Sequence, residues 1–401
     1  MNSIERIMEH RMTNNIIKET FVKSTARYLG LLLLAALFTL VGTSAAKDHD
    51  NDHQKANHYR QINLVSDLPG VAAAQDVNLV NAWGVSFSPT SPFWVSATET
   101  SRAVLYAVTN DALGTTFVQK QALEVTIPGE GNVTGQVFNN LGGFNGDIFL
   151  FVSEDGTISG WRGALGTAAE VLTARPGAVY KGVALVQSAL GPVLLAANFS
   201  EGTVDAYGTN LTLLGQFSDA KAPHGYAPFN VQLIAGHIFV TFAKQDDDKE
   251  DDVPGRGHGL IDVFNLETGK FHRFATGSDA GGKLREINSP WGLALAPSSF
   301  GKHADQLLVG NFGSGTIMTF DADGDFHGLL NGENKGPVSI EGLWALTFGN
   351  GGRAGVPSTL YFTAGPDDET HGLFGSLEPV GKGNHENGDD DDDDDDHGHH
   401  D

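Results

Sequence analysis

Five residues recur at one position of a repeated pattern, and their side chains are of the kind that build a binding pocket. Trp83, Trp291 and Trp344 each open a short apolar run: Trp83-Gly84-Val85-Ser86-Phe87, Trp291-Gly292-Leu293-Ala294-Leu295 and Trp344-Ala345-Leu346-Thr347-Phe348. Lys181 and Phe229 hold the same place in Lys181-Gly182-Val183-Ala184-Leu185 and Phe229-Asn230-Val231-Gln232-Leu233. The polar residues just upstream are Asn81, Tyr180, His224, Asn288 and Glu341. Aromatic walls beside a few amides and a carboxylate suit a small organic or sugar-like ligand. Large aromatics at a repeat position also serve to fill the seam between packed sheets, so both readings stand.

Two further patterns offer oxygen ligands to hard cations. Asp321-Ala322-Asp323-Gly324-Asp325 begins like a calcium-binding loop, but its twelfth position is Gly332, not Glu, and a polar hairpin turn explains it as well. Gln245 to Asp252 (QDDDKEDD) inserts acidic residues after an apolar run and reads as a solvated loop or a Ca²⁺ site. At the C-terminus, the eight aspartates from Asp389 to Asp396 precede His397, His399 and His400. That run is either a solvating acidic tail or a loose divalent-metal site that selects no one metal. Serine-hydrolase elbow, phosphate-loop and zinc-protease motifs are absent. Zero cysteines excludes disulfides and thiolate chemistry.

The elements that must position these residues are short strands. From Tyr59 to Val380, β-branched and aromatic runs alternate with Gly, Asn, Asp and Ser, with no helical apolar period. A second repeat follows each opening run. Leu194-Leu195-Ala196-Ala197-Asn198-Phe199 matches Leu307-Leu308-Val309-Gly310-Asn311-Phe312, each leading to a Gly-Thr-Val/Ile turn. A third strand closes on Tyr106, Trp161, Tyr207, Phe264 or Phe320. The copies start near Asn81, Thr134, Lys181, Phe229, Trp291 and Trp344, a spacing that predicts an all-β, six-bladed β-propeller of four-stranded antiparallel blades. In such a fold the residues before each innermost strand ring one end of a central channel. The 51 glycines of the 401 residues then mark blade turns.

The rest of the chain sets compartment and partners. Gly30 to Val41 is a twelve-residue apolar run after Lys18, Lys23 and Arg27 and before Ser44-Ala45-Ala46, the layout of a secretory signal peptide and too short for a membrane span. An uncleaved anchor is the alternative. The expected organisation is signal peptide 1–46, polar linker 47–58, propeller 59–380 and a disordered Asp/His-rich tail 381–401. The product is then periplasmic or extracellular and monomeric. A net charge of −24 argues against nucleic acid as a partner.

This pattern resembles the NHL-repeat and SMP-30/gluconolactonase-like six-bladed propellers. More closely, residues 59–377, through Asn81-Ala82-Trp83-Gly84 and Asn288-Ser289-Pro290-Trp291-Gly292-Leu293, are similar to a family of uncharacterised secreted bacterial propellers without established activity. Ile340-Glu341-Gly342-Leu343-Trp344 is similar to the lactonases' metal-ligand segment. That resemblance implies Glu341 as a carboxylate ligand, with Asn81 and Asn288 supplying amide oxygens to Ca²⁺ or Mg²⁺. Trp83 and Trp291 stand where those enzymes carry Asn or Asp. The expected function is therefore a binding module at the channel mouth for a small molecule or an extracytoplasmic partner, and the alternative is a divalent-metal hydrolase of lactonase type centred on Glu341.

Overall fold

A computed structural model describes residues 58–111, 114–278 and 285–380. The leader, the linker up to residue 57 and the acidic tail lie outside the described residues. Twenty-four of the strands form six four-stranded antiparallel units around an axis. From the axis outward, blade 1 is Ala82–Ser86, Phe93–Ala97, Arg102–Asn110 and Thr116–Thr126. Blades 2 to 5 repeat that order from inner strands Val133–Phe138, Tyr180–Ser188, Tyr226–Ile234 and Pro290–Leu295. Blade 6 takes three strands from the C-terminus (Leu343–Phe348, Leu360–Ala364, Leu373–Val380) and its fourth from the N-terminus, His58–Ser66. That last pairing is antiparallel from His58↔Val380 to Ser66↔Leu373. It closes the ring across more than 300 residues of chain, and Tyr59 ties it to blade 5 by donating its hydroxyl to the Phe300 carbonyl at 2.9 Å.

Strands such as Gly191–Asn198 (GPVLLAAN) are apolar on both faces because each blade packs against two neighbours. Leu194 and Ala196 face blade 2, in a cluster with Leu150, Val152 and Ile158. Val193, Leu195 and Ala197 face blade 4, with Val231, Val240 and Phe242. Six such seam clusters encircle the axis, and a seventh cluster fills its centre. The aromatic residue that closes each third strand sits opposite the start of the second strand: Phe93↔Tyr106, Phe149↔Trp161, Leu194↔Tyr207, Ile238↔Phe264 and Leu307↔Phe320.

Near the axis, hydroxyls and amides clip inner-strand carbonyls to the adjacent blade. Thr98 Oγ1 donates to Val133 O at 2.8 Å, Thr134 Oγ1 to Tyr180 O at 2.6 Å, and Asn230 Nδ2 to Trp291 O at 2.8 Å. Thr363 Oγ1 likewise donates to Trp83 O. Inner strands come so close there that a Cβ on Gly84 would lie 2.5 Å from Thr134 O, and one on Gly135 would lie 2.9 Å from Gly182 Cα. Glycine at those points is a packing requirement. Among the described residues no helix is long and apolar enough to cross a membrane.

Candidate functional site: the acidic mouth of the channel

Each inner strand carries a register shift near its start: between Ala82 and Val85, Val133 and Gln136, Tyr180 and Gly182, Pro228 and Asn230, Pro290 and Leu293, and Leu343 and Leu346. Regular strand residues alternate between the two seams. A bulge breaks that alternation and re-aims one side chain. The re-aimed side chains include Trp83, Lys181, Phe229, Trp291 and Trp344, all buried. The four aromatic ones belong to the central cluster, whereas Trp94 and Trp161 fill the seam between blades 1 and 2.

The rings make a plug. Phe312, Trp344 and Trp83 stack in a column, with centroids 3.9 Å and 3.6 Å apart and planes within 19° and 14°. Trp291 meets Trp83 and Trp344 edge-on at 6.4 Å and 6.0 Å, and its indole N–H donates to Lys181 O across the axis at 3.1 Å. Phe229 leans on Trp344 at 5.7 Å. Trp344 donates its indole N–H to Asn81 Oδ1 at 3.0 Å. The plug separates two openings. The far one, about 310 Å³, is lined by uncharged residues that include Ser86, Gln136, Gln232 and Trp291.

The near opening, the mouth, is about 330 Å³ and strongly acidic. Asp251, Asp252, Glu341, Asp368 and Glu369 line it around the floor of Trp83, Phe312 and Trp344, and Lys181 is the one cation in that lining. Acidic lining continues into an adjoining cleft over Glu130, Glu154, Asp155 and Glu250. The Lys181 ammonium lies 5.3 Å from the Trp83 ring centroid. It pairs with Glu154 and, at 3.1 Å, with Asp251. Burial works to lower its pKa, but these two carboxylates outweigh that, so the group is held above its usual value and stays charged. Burial pushes Glu369 up to about 7 against the Asn81 amide, which donates to Glu369 Oε2 at 2.6 Å, and against the charge of Lys181. Burial likewise pushes Asp252 up to about 6. Both carboxyls sit where a further positive charge would be favourable.

Several residues singled out by the sequence therefore meet, at different depths. Trp83, Lys181, Trp344 and Glu341 line the mouth. Phe229 lies within the plug, and Trp291 faces the far opening. Asn81 is buried beneath Glu369. Asn288 braces a loop by accepting the Gly255 N–H at 2.6 Å. His224 is exposed between blades 3 and 4 and lines none of these openings. Glu341 accepts the Asp367 N–H at 3.3 Å, and the amide oxygens of Asn81 and Asn288 are already taken. Among the described residues, no three carboxylate or imidazole groups converge as metal ligands. The Asp321 loop is a turn in which Asp321 Oδ1 accepts the Asp323 and Asp325 N–H groups.

Sequence reasoning did not assign Glu154, Phe312, Asp368 or Glu369 to the mouth, and it singled out Asp251 and Asp252 only as part of the acidic insert 245–252. A signal existed for two of them. Glu154 and Phe312 directly follow second strands, Phe149–Ser153 and Leu307–Asn311, at the end nearest the mouth. The acidic insert 245–252 also follows a second strand, His237–Lys244, and its last two aspartates return to the mouth.

No protein-family model matches the chain. Two uncharacterized proteins of Acanthamoeba polyphaga mimivirus are similar to it. One is 29% identical over 341 residues, 78% of each chain. The other is 28% identical over 342 residues, 78% of this chain and 84% of its own. These relatives are viral, where the sequence resemblance had pointed to bacterial proteins. Among solved structures, a streptogramin B lyase is similar with a TM-score of 0.45 and 10% identity, over 80% of this chain and 98% of its own. An auxiliary nutrient binding protein from Bacteroides thetaiotaomicron is similar with a TM-score of 0.49 and 10% identity, over 75% of this chain and 69% of its own. Neither likeness carries a ligand or an activity over to this chain.

Proposed function

We propose that this chain is an exported, monomeric propeller module, of the NHL-repeat/gluconolactonase-like kind, that binds a small organic cation in the mouth of its channel. One observation carries the reading: five carboxylates line a cavity of about 330 Å³ whose one ammonium, on Lys181, is buried and already paired. A desolvated carboxylate holds its proton until a cation replaces it, as the elevated Glu369 and Asp252 do. An anionic guest meets repulsion at every wall, and a neutral one gains little from them. An aromatic floor adds apolar contact for the guest's hydrocarbon.

Calorimetric titration of the protein with cyclohexylamine, cyclohexanol and cyclohexanecarboxylate tests this. Binding is expected for the amine alone, and it should strengthen between pH 5 and pH 8 as Asp252 and Glu369 lose their protons. Glu369→Gln should weaken it about five- to tenfold. Equal binding of alcohol and amine, or preference for the carboxylate, refutes the assignment.

A further inference from the structure

Two buried polar groups on the wall of the mouth lack a well-formed hydrogen bond, and they are of opposite kind. Trp83 is only 2% exposed, yet its indole Nε1–H meets no acceptor among the described residues. The two tryptophans packed against it differ from it: Trp344 donates to Asn81 and Trp291 donates to Lys181 O. Asp252 lines the same cavity, and its Oδ2 is buried with no well-formed hydrogen bond, the Ser289 hydroxyl being the donor near its carboxyl. An unmade buried hydrogen bond is costly, and such groups gather where a ligand completes them. Both residues line one cavity of about 330 Å³, at the small end of ligand pockets, so small turns of the two side chains bring both groups to one guest.

We infer that the natural ligand is bipolar: an amine whose ammonium faces the Asp252 side of the mouth and whose hydroxyl or carbonyl oxygen accepts the Trp83 indole N–H. This rests on the cation reading above and narrows it to hydroxylated or carbonyl-bearing amines. Lys181 stands on the Trp83 side, its ammonium 5.3 Å from the Trp83 ring centroid, and the floor beneath it carries no carboxylate of its own. The carboxylates of the rim leave the outer part to the ammonium. A simple alkylamine would satisfy Asp252 and leave Trp83 unpaired. A free amino acid would bring its carboxylate against the acidic rim, so amino alcohols and amino sugars fit better than zwitterions.

The experiment compares trans-4-aminocyclohexanol with cyclohexylamine by calorimetry on the full chain. The ring and the ammonium are shared, and only the oxygen differs. The hydroxylated amine should bind about five- to tenfold more tightly, the value of one buried hydrogen bond. Trp83→Phe keeps the ring in the stack but removes the N–H. It should abolish that preference, so that the two amines bind the variant alike. Asp252→Asn should weaken both amines together. Equal affinity of the two amines for the unmodified protein, or a preference that survives in Trp83→Phe, overturns the bipolar assignment and leaves the cation reading intact. Failure of both amines to bind overturns both. The comparison on unmodified protein decides the matter even if a variant does not fold.

Discussion

Replacing Lys181 by methionine removes the single positive charge from the mouth lining and keeps most of the side chain's volume. Lys181 is 2% exposed, and the two carboxylates it pairs with differ sharply in access to water: Glu154 is 19% exposed and Asp251 76%. Removing one member of a buried pair costs 3–5 kcal/mol where the partner stays desolvated. Here Asp251 can be solvated at once and Glu154 in part, so the expected loss is about 1–3 kcal/mol. For a chain of this size that lowers Tm by roughly 2–6 °C. The pH dependence is the sharper signature. Lys181 pulls the Asp252 and Glu369 pKa values down, and without it both should rise further above about 6 and about 7. Carboxyls with raised native values keep protons that the unfolded chain releases above about pH 4. Their contribution is therefore complete below the unfolded values and is lost as pH rises through the native ones. The Lys181→Met deficit should accordingly be larger at pH 8 than at pH 5, where only the lost pairing with Glu154 and Asp251 remains. Thermal melts of both proteins at pH 5, 6.5 and 8 measure it. A deficit that is independent of pH, or larger at pH 5, refutes the picture of a mouth whose carboxylates depend on this ammonium.

Two further outcomes concern the frame that holds the mouth. Gly84→Ala puts a Cβ 2.5 Å from Thr134 O, against backbone that is fixed by the Thr134–Tyr180 bond. It should destabilise the protein by about 1–3 kcal/mol in urea unfolding, and a loss below about 0.5 kcal/mol contradicts the close packing of inner strands. Deletion of residues 58–66 opens blade 6 and exposes the edge of Leu373–Val380 along its whole length. The shortened chain should lose cooperative unfolding or aggregate, and a Tm within a few degrees of the intact protein would show that ring closure is dispensable.

Much of the architecture was legible because a propeller repeats its solution. Trp83, Lys181, Phe229, Trp291 and Trp344 do mark innermost strands, and Tyr106, Trp161, Tyr207, Phe264 and Phe320 do lie in third strands. Apolar runs without alternation follow from blades buried on two faces, which local composition registers directly. Ring closure was not legible. His58–Ser66 reads as one more strand, and nothing local to it points to Leu373–Val380 as its partner. The destination of the tryptophans was also hidden. Trp83 and Trp94 are both large, buried and in strands of blade 1, yet one enters the central stack and the other a seam. What separates them is a bulge, a backbone event that shared residue types do not reveal.

The sequence by itself determined the fold class, the number of blades and the level of the channel at which large side chains gather. The fold class follows from the local burial pattern that a short window of residues carries, and the blade number and the level of the large side chains follow from counting and aligning the repeats along the chain. Only the tertiary structure decided the character of the mouth. Glu154, Asp252 and Glu369 come from blade 2, an insert in blade 4 and a loop of blade 6, and they act on one another only because ring closure brings them around one buried lysine. Electrostatic character depends on distance and desolvation in three dimensions, and neither is written into the order of residues along the chain.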